Sequence, residues 1–259
     1  MPIPERLHPT FAAARPPALP PPDPMDEARK RLIVALDLPD AASAVAFVDR
    51  LDGACHWFKV GMELFTAAGP AAIEPLLNRG HSVFLDLKFH DIPNTVAGAV
   101  RSAATLGVRM VNVHAAGGPA MLAAARAALT GLSNPPQLLA VTMLTSMNSA
   151  QVSATGIPRS PAEQVELLAL MTLESGIRGF VCSAEEVANL RKLTGPEGVL
   201  VTPGIRPAGA AIGDQSRIAT PAEALRQGAS YLVVGRPITQ SPNPAHAANA
   251  ILHEMAEAL

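Results

Sequence analysis

Eight short apolar runs, each followed by a stretch of helical spacing, recur from residue 32 to the end of the chain, and this alternation restricts the fold more than any other feature. The runs are LIVALD (32–37), HWFKV (56–60), SVFLDLK (82–88), RMVNVH (109–114), LLAVTML (138–144), GFVC (179–182), GVLVTP (198–203) and SYLVVG (230–235). Near-continuous aliphatic and β-branched content is the pattern of parallel strands buried on both faces. The intervening spacing predicts helices over 40–52, 62–79, 92–106, 118–130, 160–175, 184–194, within 220–228 and over 244–258, the second bent or split by Pro70 and Pro75. Ser160–Glu163, Ser183–Glu186 and Thr220–Glu223 have the spacing of capping boxes, and Pro161 and Pro221 suit a first helical position. Eight strand–helix units in about 225 residues point to a closed (β/α)8 TIM barrel. An open doubly wound sheet would carry a glycine-rich turn after its first strand, and ALDLPDA offers none.

Outside this alternation lies the N-terminus. Nine of the 25 prolines fall within residues 1–24. Such a segment is expected to be extended and unpacked. The expected organisation is a Pro-rich extension over 1–27 and a single barrel domain over 28–259, with Met25 as a candidate start. No continuous apolar h-region marks a signal peptide. The uncharged stretch 127–158 is interrupted by Asn134, Pro135, Pro136, Gln137 and Asn148, so no spanning helix is expected. A net charge of -2 gives no electrostatic case for nucleic acid. Cys55 and Cys182 are far apart and read as reduced packing thiols of a cytoplasmic protein.

Chemistry in a barrel gathers at the C-terminal strand ends. Those ends carry Asp37, Lys59, Asp86 with Lys88, His114, Thr145 with Ser146, Gly204 to Arg206, and Gly235 with Arg236. Asp86 and Lys88 are two apart on a strand and share a face. Asp91 follows where the chain turns into a helix, so it fits a helix cap as well as a site. Charges are costly to bury unless paired or used. A structural ion network has little advantage over an apolar core, so the acid–lysine–acid pattern favours function. PGIRP (203–207) and VGRPI (234–238) set glycine beside arginine after the last two strands, as a phosphate site requires. The Gly/Ala-rich span 206–219 reads as a lid. No cluster has metal-ligand spacing, and neither His114 nor Cys182 has a marked catalytic partner.

The segments LIVALD, FKVG, FLDLKFHDIPNTV, VNVHAAGG, LTS, TPGIR, GDQSR and YLVVGRPIT, in order over residues 32–240, resemble the orotidine 5'-phosphate decarboxylase family. The D-x-K-x-x-D core is shared with a wider superfamily; FHDIPNTV and VGRPIT narrow the match. The resemblance implies a cofactor-free, metal-free carboxy-lyase of UMP biosynthesis acting on orotidine 5'-phosphate. By the same resemblance Lys88 is the catalytic proton donor and Asp86 and Asp91 are its acidic neighbours. Lys59 contacts ribose, and Asp37 binds the ribose and uracil side. Thr145 and Ser146 contact the pyrimidine, and Arg206, Gln215, Gly235 and Arg236 grip the phosphate, with Gln215 in the lid. A homodimer is implied, in which Asp91 and Thr95 reach the other subunit's site. The rivals are a Mg²⁺-dependent 3-keto-L-gulonate 6-phosphate decarboxylase of the same superfamily, a non-catalytic nucleotide-binding barrel, and a structural barrel with an ion network.

Overall fold

The structure, a computed structural model, describes residues 23–207 and 219–259. Gln215 and most of the expected lid lie outside the described residues, as does the Pro-rich segment up to residue 22.

Eight parallel strands close in sequence order into a barrel: β1 Leu32–Ala35, β2 Trp57–Gly61, β3 Ser82–Phe89, β4 Met110–His114, β5 Gln137–Val141, β6 Gly179–Val181, β7 Val199–Thr202 and β8 Tyr231–Val234. Pairing of Leu32 with Leu232 and Val34 with Val234 joins the last strand to the first. The fold is the expected (β/α)8 barrel. Its strand sequences are apolar on both faces because both are covered. Ile33, Ala35, Phe84, Met110, Leu139, Val141, Val181, Val201 and Val233 fill the interior. Alternate residues such as Val34, Phe58, Val83, Leu85, Val111 and Phe180 pack outward against the helices.

Helix boundaries follow their caps. At Ser160 and Thr220 the hydroxyl accepts from the N–H three residues on, and the glutamate there accepts in return. At Ser183, Glu186 closes the box onto the serine N–H at 2.9 Å. Pro70 and Pro75 split the segment after β2 into Met62–Ala68, a 3₁₀ turn over Gly69–Ala72 and Glu74–Asn78. Three helices were not expected from sequence: Pro24–Arg31, Ser149–Ala154 and Arg236–Thr239. The first begins inside the stretch read as a Pro-rich extension. Asp23 caps it, Asp26 and Glu27 occupy its first turn and Arg29, Lys30 and Arg31 its last, an order that complements the helix dipole. No helix among the described residues is long and apolar enough to cross a membrane.

Pairing between β3 and β4 is irregular. Four residue steps on β3, from Leu85 to Phe89, span only two on β4, from Val111 to Val113. Such a bulge re-aims side chains where it occurs, and it falls on the segment that carries Asp86 and Lys88.

Candidate active site

A cavity of about 820 Å³ opens at the C-terminal ends of the strands. Ten of the residues singled out from sequence line it: Asp37, Lys59, Asp86, Lys88, Thr145, Ser146, Gly204, Arg206, Gly235 and Arg236. They come from the ends of β1, β2, β3, β5, β7 and β8, and only barrel closure brings them together.

The floor is a chain of alternating charges. Lys59 Nζ lies 3.1 Å from Asp37 Oδ1 and 3.4 Å from Asp86 Oδ2. Lys88 Nζ lies 2.6 Å from Asp86 Oδ1. Exposure falls inward along it, from 58% for the Asp37 side chain to 11% for Lys59 and Asp86. Burial pulls the Lys59 ammonium down, but Asp86 and then Asp37 outweigh it, and its pKa lies above the usual lysine value. Burial pushes the Asp86 carboxyl up, but Lys59 and Lys88 outweigh that and hold it below the usual carboxylate range. Lys59 and Asp86, the two most buried members, thus stabilise each other's charged forms.

The β3 bulge shapes this geometry. Lys88 has φ +51°, in the left-handed region that costs a side-chain-bearing residue about 1–2 kcal/mol. Its backbone N–H donates to Asn112 Oδ1 at 2.8 Å, and its ammonium is anchored on Asp86. Those two attachments offset the strain. Asn112, fully buried on β4, also donates through Nδ2 to Asp86 Oδ1 at 2.7 Å. Asn112 was missed in the sequence, although a lone amide in the apolar run MVNVH was a usable signal.

Gly61, at the end of β2, was also missed. A Cβ there would lie 2.8 Å from Lys59 Nζ and 3.3 Å from Asp37 Oδ1, so the Lys59–Asp37 pair in this position fits a glycine and would have to shift for any larger residue. Met62, Leu144, Thr239 and Gln240 line the rim and carried no signal in sequence.

The opposite wall presents cationic groups. Arg206 follows β7, is buried, and donates through Nη1 to Ile205 O at 2.8 Å. Arg236 begins the helix Arg236–Thr239 directly after Gly235. Loops after strands seven and eight are where barrels commonly hold phosphate.

Asp91 and Thr95 do not line the cavity; both are exposed. The cap reading of Asp91 is corrected here. Ile92 holds the cap position of Pro93–Thr105 with no side-chain cap, and Asp91 Oδ1 accepts from the Ile92 N–H at 2.6 Å. His114 stands 5.4 Å from His90, centroid to centroid, in a tilted pair outside the cavity lining. Cys55 and Cys182 are buried, and burial pushes the Cys55 thiol up to about 12, as suits a packing role. Among the described residues no group of three or more His, Cys, Asp or Glu is placed to hold a metal ion.

A family model described as Orotidine 5'-phosphate decarboxylase / HUMPS family matches residues 30–251. A Moorella thermoacetica protein named orotidine 5'-phosphate decarboxylase is 55% identical over 234 residues, covering 88% of this chain and 93% of the relative. One of the same name from Nitrosomonas europaea is 54% identical over 229 residues, covering 88% and 98%. The crystal structure of orotidine 5'-phosphate decarboxylase from Lactobacillus acidophilus superposes with a TM-score of 0.75 at 40% identity, covering 87% of this chain and 98% of that one. With matches of this depth across the whole barrel, the chain belongs to the orotidine 5'-phosphate decarboxylase / HUMPS family.

Proposed function

We propose that this protein converts orotidine 5'-phosphate to UMP and CO2, without a cofactor, and that Lys88 is the proton donor. The observation that carries the reading is the position of the Lys88 ammonium, held 2.6 Å from Asp86 in a cavity whose far wall carries Arg206 and Arg236.

Breaking the C6–carboxylate bond leaves an electron pair on a ring carbon that delocalises it poorly. The protein must supply positive charge where that negative charge develops, already fixed in place. The Lys88 ammonium is such a charge. As CO2 departs, a proton moves from Lys88 Nζ to C6, giving UMP, and the neutral amine regains a proton from water. Asp86 keeps the ammonium aimed beforehand, and Lys59 keeps Asp86 ionised.

Binding is divided by chemistry. Arg206, Arg236 and the Gly235 backbone take the phosphate, with Gln215 completing the grip. Thr145 and Ser146 face the pyrimidine, and Asp37 and Lys59 the ribose. Phosphate contacts lie far from C6, so their binding energy goes into positioning. Removing phosphate from the substrate lowers kcat as well as affinity.

The functional unit is a homodimer of one-domain barrels (residues 28–259) in the cytoplasm. Asp91 and Thr95 act in the partner's site. Their support is exposure: with Ile92, 66% exposed, they form a patch outside their own cavity.

The test is a spectrophotometric assay of the purified full chain with orotidine 5'-phosphate, with and without EDTA. Turnover to UMP that is indifferent to EDTA is expected. No turnover, or turnover abolished by the chelator, contradicts the reading.

A further inference from the structure

We infer that Asn112 is a positioning residue for the decarboxylation step, holding the Lys88 backbone and the Asp86 carboxylate in one register through a single amide. The inference rests on the reading of Lys88 as proton donor.

The β3 bulge sets Asp86, Leu87 and Lys88 across a single β4 residue, Asn112. In an unbroken ladder the Lys88 N–H would be free to pair with a β4 carbonyl. Here it donates to Asn112 Oδ1 at 2.8 Å instead. The other end of the amide donates to Asp86 Oδ1 at 2.7 Å, the same oxygen that takes Lys88 Nζ at 2.6 Å. A backbone N–H needs an acceptor and an ionised carboxylate needs a donor. An uncharged amide supplies both from one fixed plane, so its orientation is set from both sides. Asn112 is fully buried, and water does not compete for either bond.

Lys88 is therefore tied at two points: at its backbone, in the left-handed conformation, and at its ammonium through Asp86. The reaction severs the second tie. While Nζ is neutral, Asp86 loses that charge, but the Asn112 donor remains on Oδ1. The carboxylate stays in place for reprotonation of the amine. Without Asn112 the Lys88 backbone N–H loses its acceptor and Asp86 loses a donor, so Lys88 is held less firmly at both ends. A misplacement near 1 Å at a reacting group costs roughly 100-fold in rate.

Two variants test this. Asn112→Leu keeps the branched shape, at a somewhat larger volume, and removes both bonds; kcat for orotidine 5'-phosphate is expected to fall roughly 100-fold with KM changed less than about threefold. Asn112→Asp keeps the acceptor for Lys88 N–H but sets a second carboxylate against Asp86. Protonated, that carboxyl is again donor and acceptor. Its kcat relative to wild type is therefore expected to rise as pH falls from about 8 to about 6, because the Asp86 charge delays ionisation of the new group. The groups facing position 112 are Asp86 and Lys88 of β3, Lys59 beyond Asp86, His114 on β4 itself and His90 after β3; β5 (Gln137–Val141) brings none. Both histidines are present in the wild type too, so the ratio removes their titration. A purely structural role gives no such rescue. A flat ratio, an unchanged kcat in Asn112→Leu, or a loss confined to KM overturns the inference. If Asn112→Leu does not fold, the ratio for Asn112→Asp decides alone. Lys88→Ala assayed alongside separates the failures: if it retains turnover, the proton-donor reading falls; if it is inactive while the Asn112 variants behave as wild type, only this inference falls.

Discussion

Lys59 and Lys88 hold opposite oxygens of one carboxylate. Lys59 Nζ approaches Asp86 Oδ2 at 3.4 Å, and Lys88 Nζ approaches Oδ1 at 2.6 Å. Two ammonium groups this close would repel each other, and Asp86 between them makes the arrangement tolerable. It also leaves them unequal. Lys59 has a second anion, Asp37, and Lys88 has Asn112 only at its backbone. Of the two, Lys88 has one carboxylate contact among the described residues, and it lines the cavity.

Gly61→Ala is expected to weaken substrate binding without unfolding the barrel. The added Cβ would sit 2.8 Å from Lys59 Nζ and force the Lys59–Asp37 pair apart. The atom met is the flexible end of a lysine, so the displacement falls on the ion pair and not on the backbone. A loss of about 1.4 kcal/mol in substrate contact from the displaced ammonium raises KM roughly tenfold. Unchanged KM and Tm would show that the pair relocates freely.

Arg236→Ala should act on affinity for phosphate. A hydrogen bond to a charged group contributes about 1.5–3 kcal/mol. Titrations with UMP and uridine separate the effect: UMP binding weakens at least about tenfold and uridine binding is unchanged. Equal losses for both ligands would place Arg236 elsewhere than on phosphate.

Arg191→Lys should lower stability and spare catalysis. Arg191 donates to Gly228 O at 3.0 and 2.7 Å, Gly195 O at 2.8 Å, Gly198 O at 2.7 Å and Ser230 Oγ at 3.0 Å, tying the N-terminal ends of β7 and β8 to the helix Ala184–Thr194. Lysine cannot reproduce that fork. A loss of about 2–3 kcal/mol should lower Tm by several degrees, with kcat within about twofold of wild type because the cavity lies at the other end of the strands. A drop in kcat at unchanged Tm would contradict this.

Stability should fall in two stages on acidification. Burial, then nearby cationic groups, lower the pKa of His81 and His114 below the ordinary 6.5. The unfolded chain therefore takes up their protons first, and the stability they contribute is lost as pH falls from about 6.5 toward the folded values. Asp86 is held below its ordinary 3.8, so its contribution persists above that value and is lost as pH falls further. Lys59, raised above 10.5, contributes below that value and loses its contribution only as pH rises through the folded value. Urea midpoints between pH 8 and pH 3 check this. A flat profile from pH 7.5 to 5 would contradict the histidine stage.

The barrel was legible because each strand is buried on both faces and announces itself without partners: LIVA, LLAV and YLVV need no tertiary information. Asp37, Lys59, Asp86 and Lys88 were legible because charges at the ends of apolar runs are expensive. Asn112 was not read as functional, because its task depends on a register break between two strands that no local pattern encodes. Gly61 was overlooked for a related reason: its requirement is a 2.8 Å approach from Lys59 Nζ, visible only in space. The helix Pro24–Arg31 was masked by its Pro-rich neighbours, although Asp23-Pro24 followed by acids and then bases was the signal to read.

The central claim is that the Lys88 ammonium meets the charge left on C6. Its most direct measurement is kcat of Lys88→Ala on orotidine 5'-phosphate, beside calorimetric binding of UMP to the same variant. General acid and electrostatic contributions together predict a fall of about 10⁴-fold or more, with UMP affinity kept within about tenfold. Turnover within about tenfold of wild type, in a variant that still binds UMP, would contradict the account.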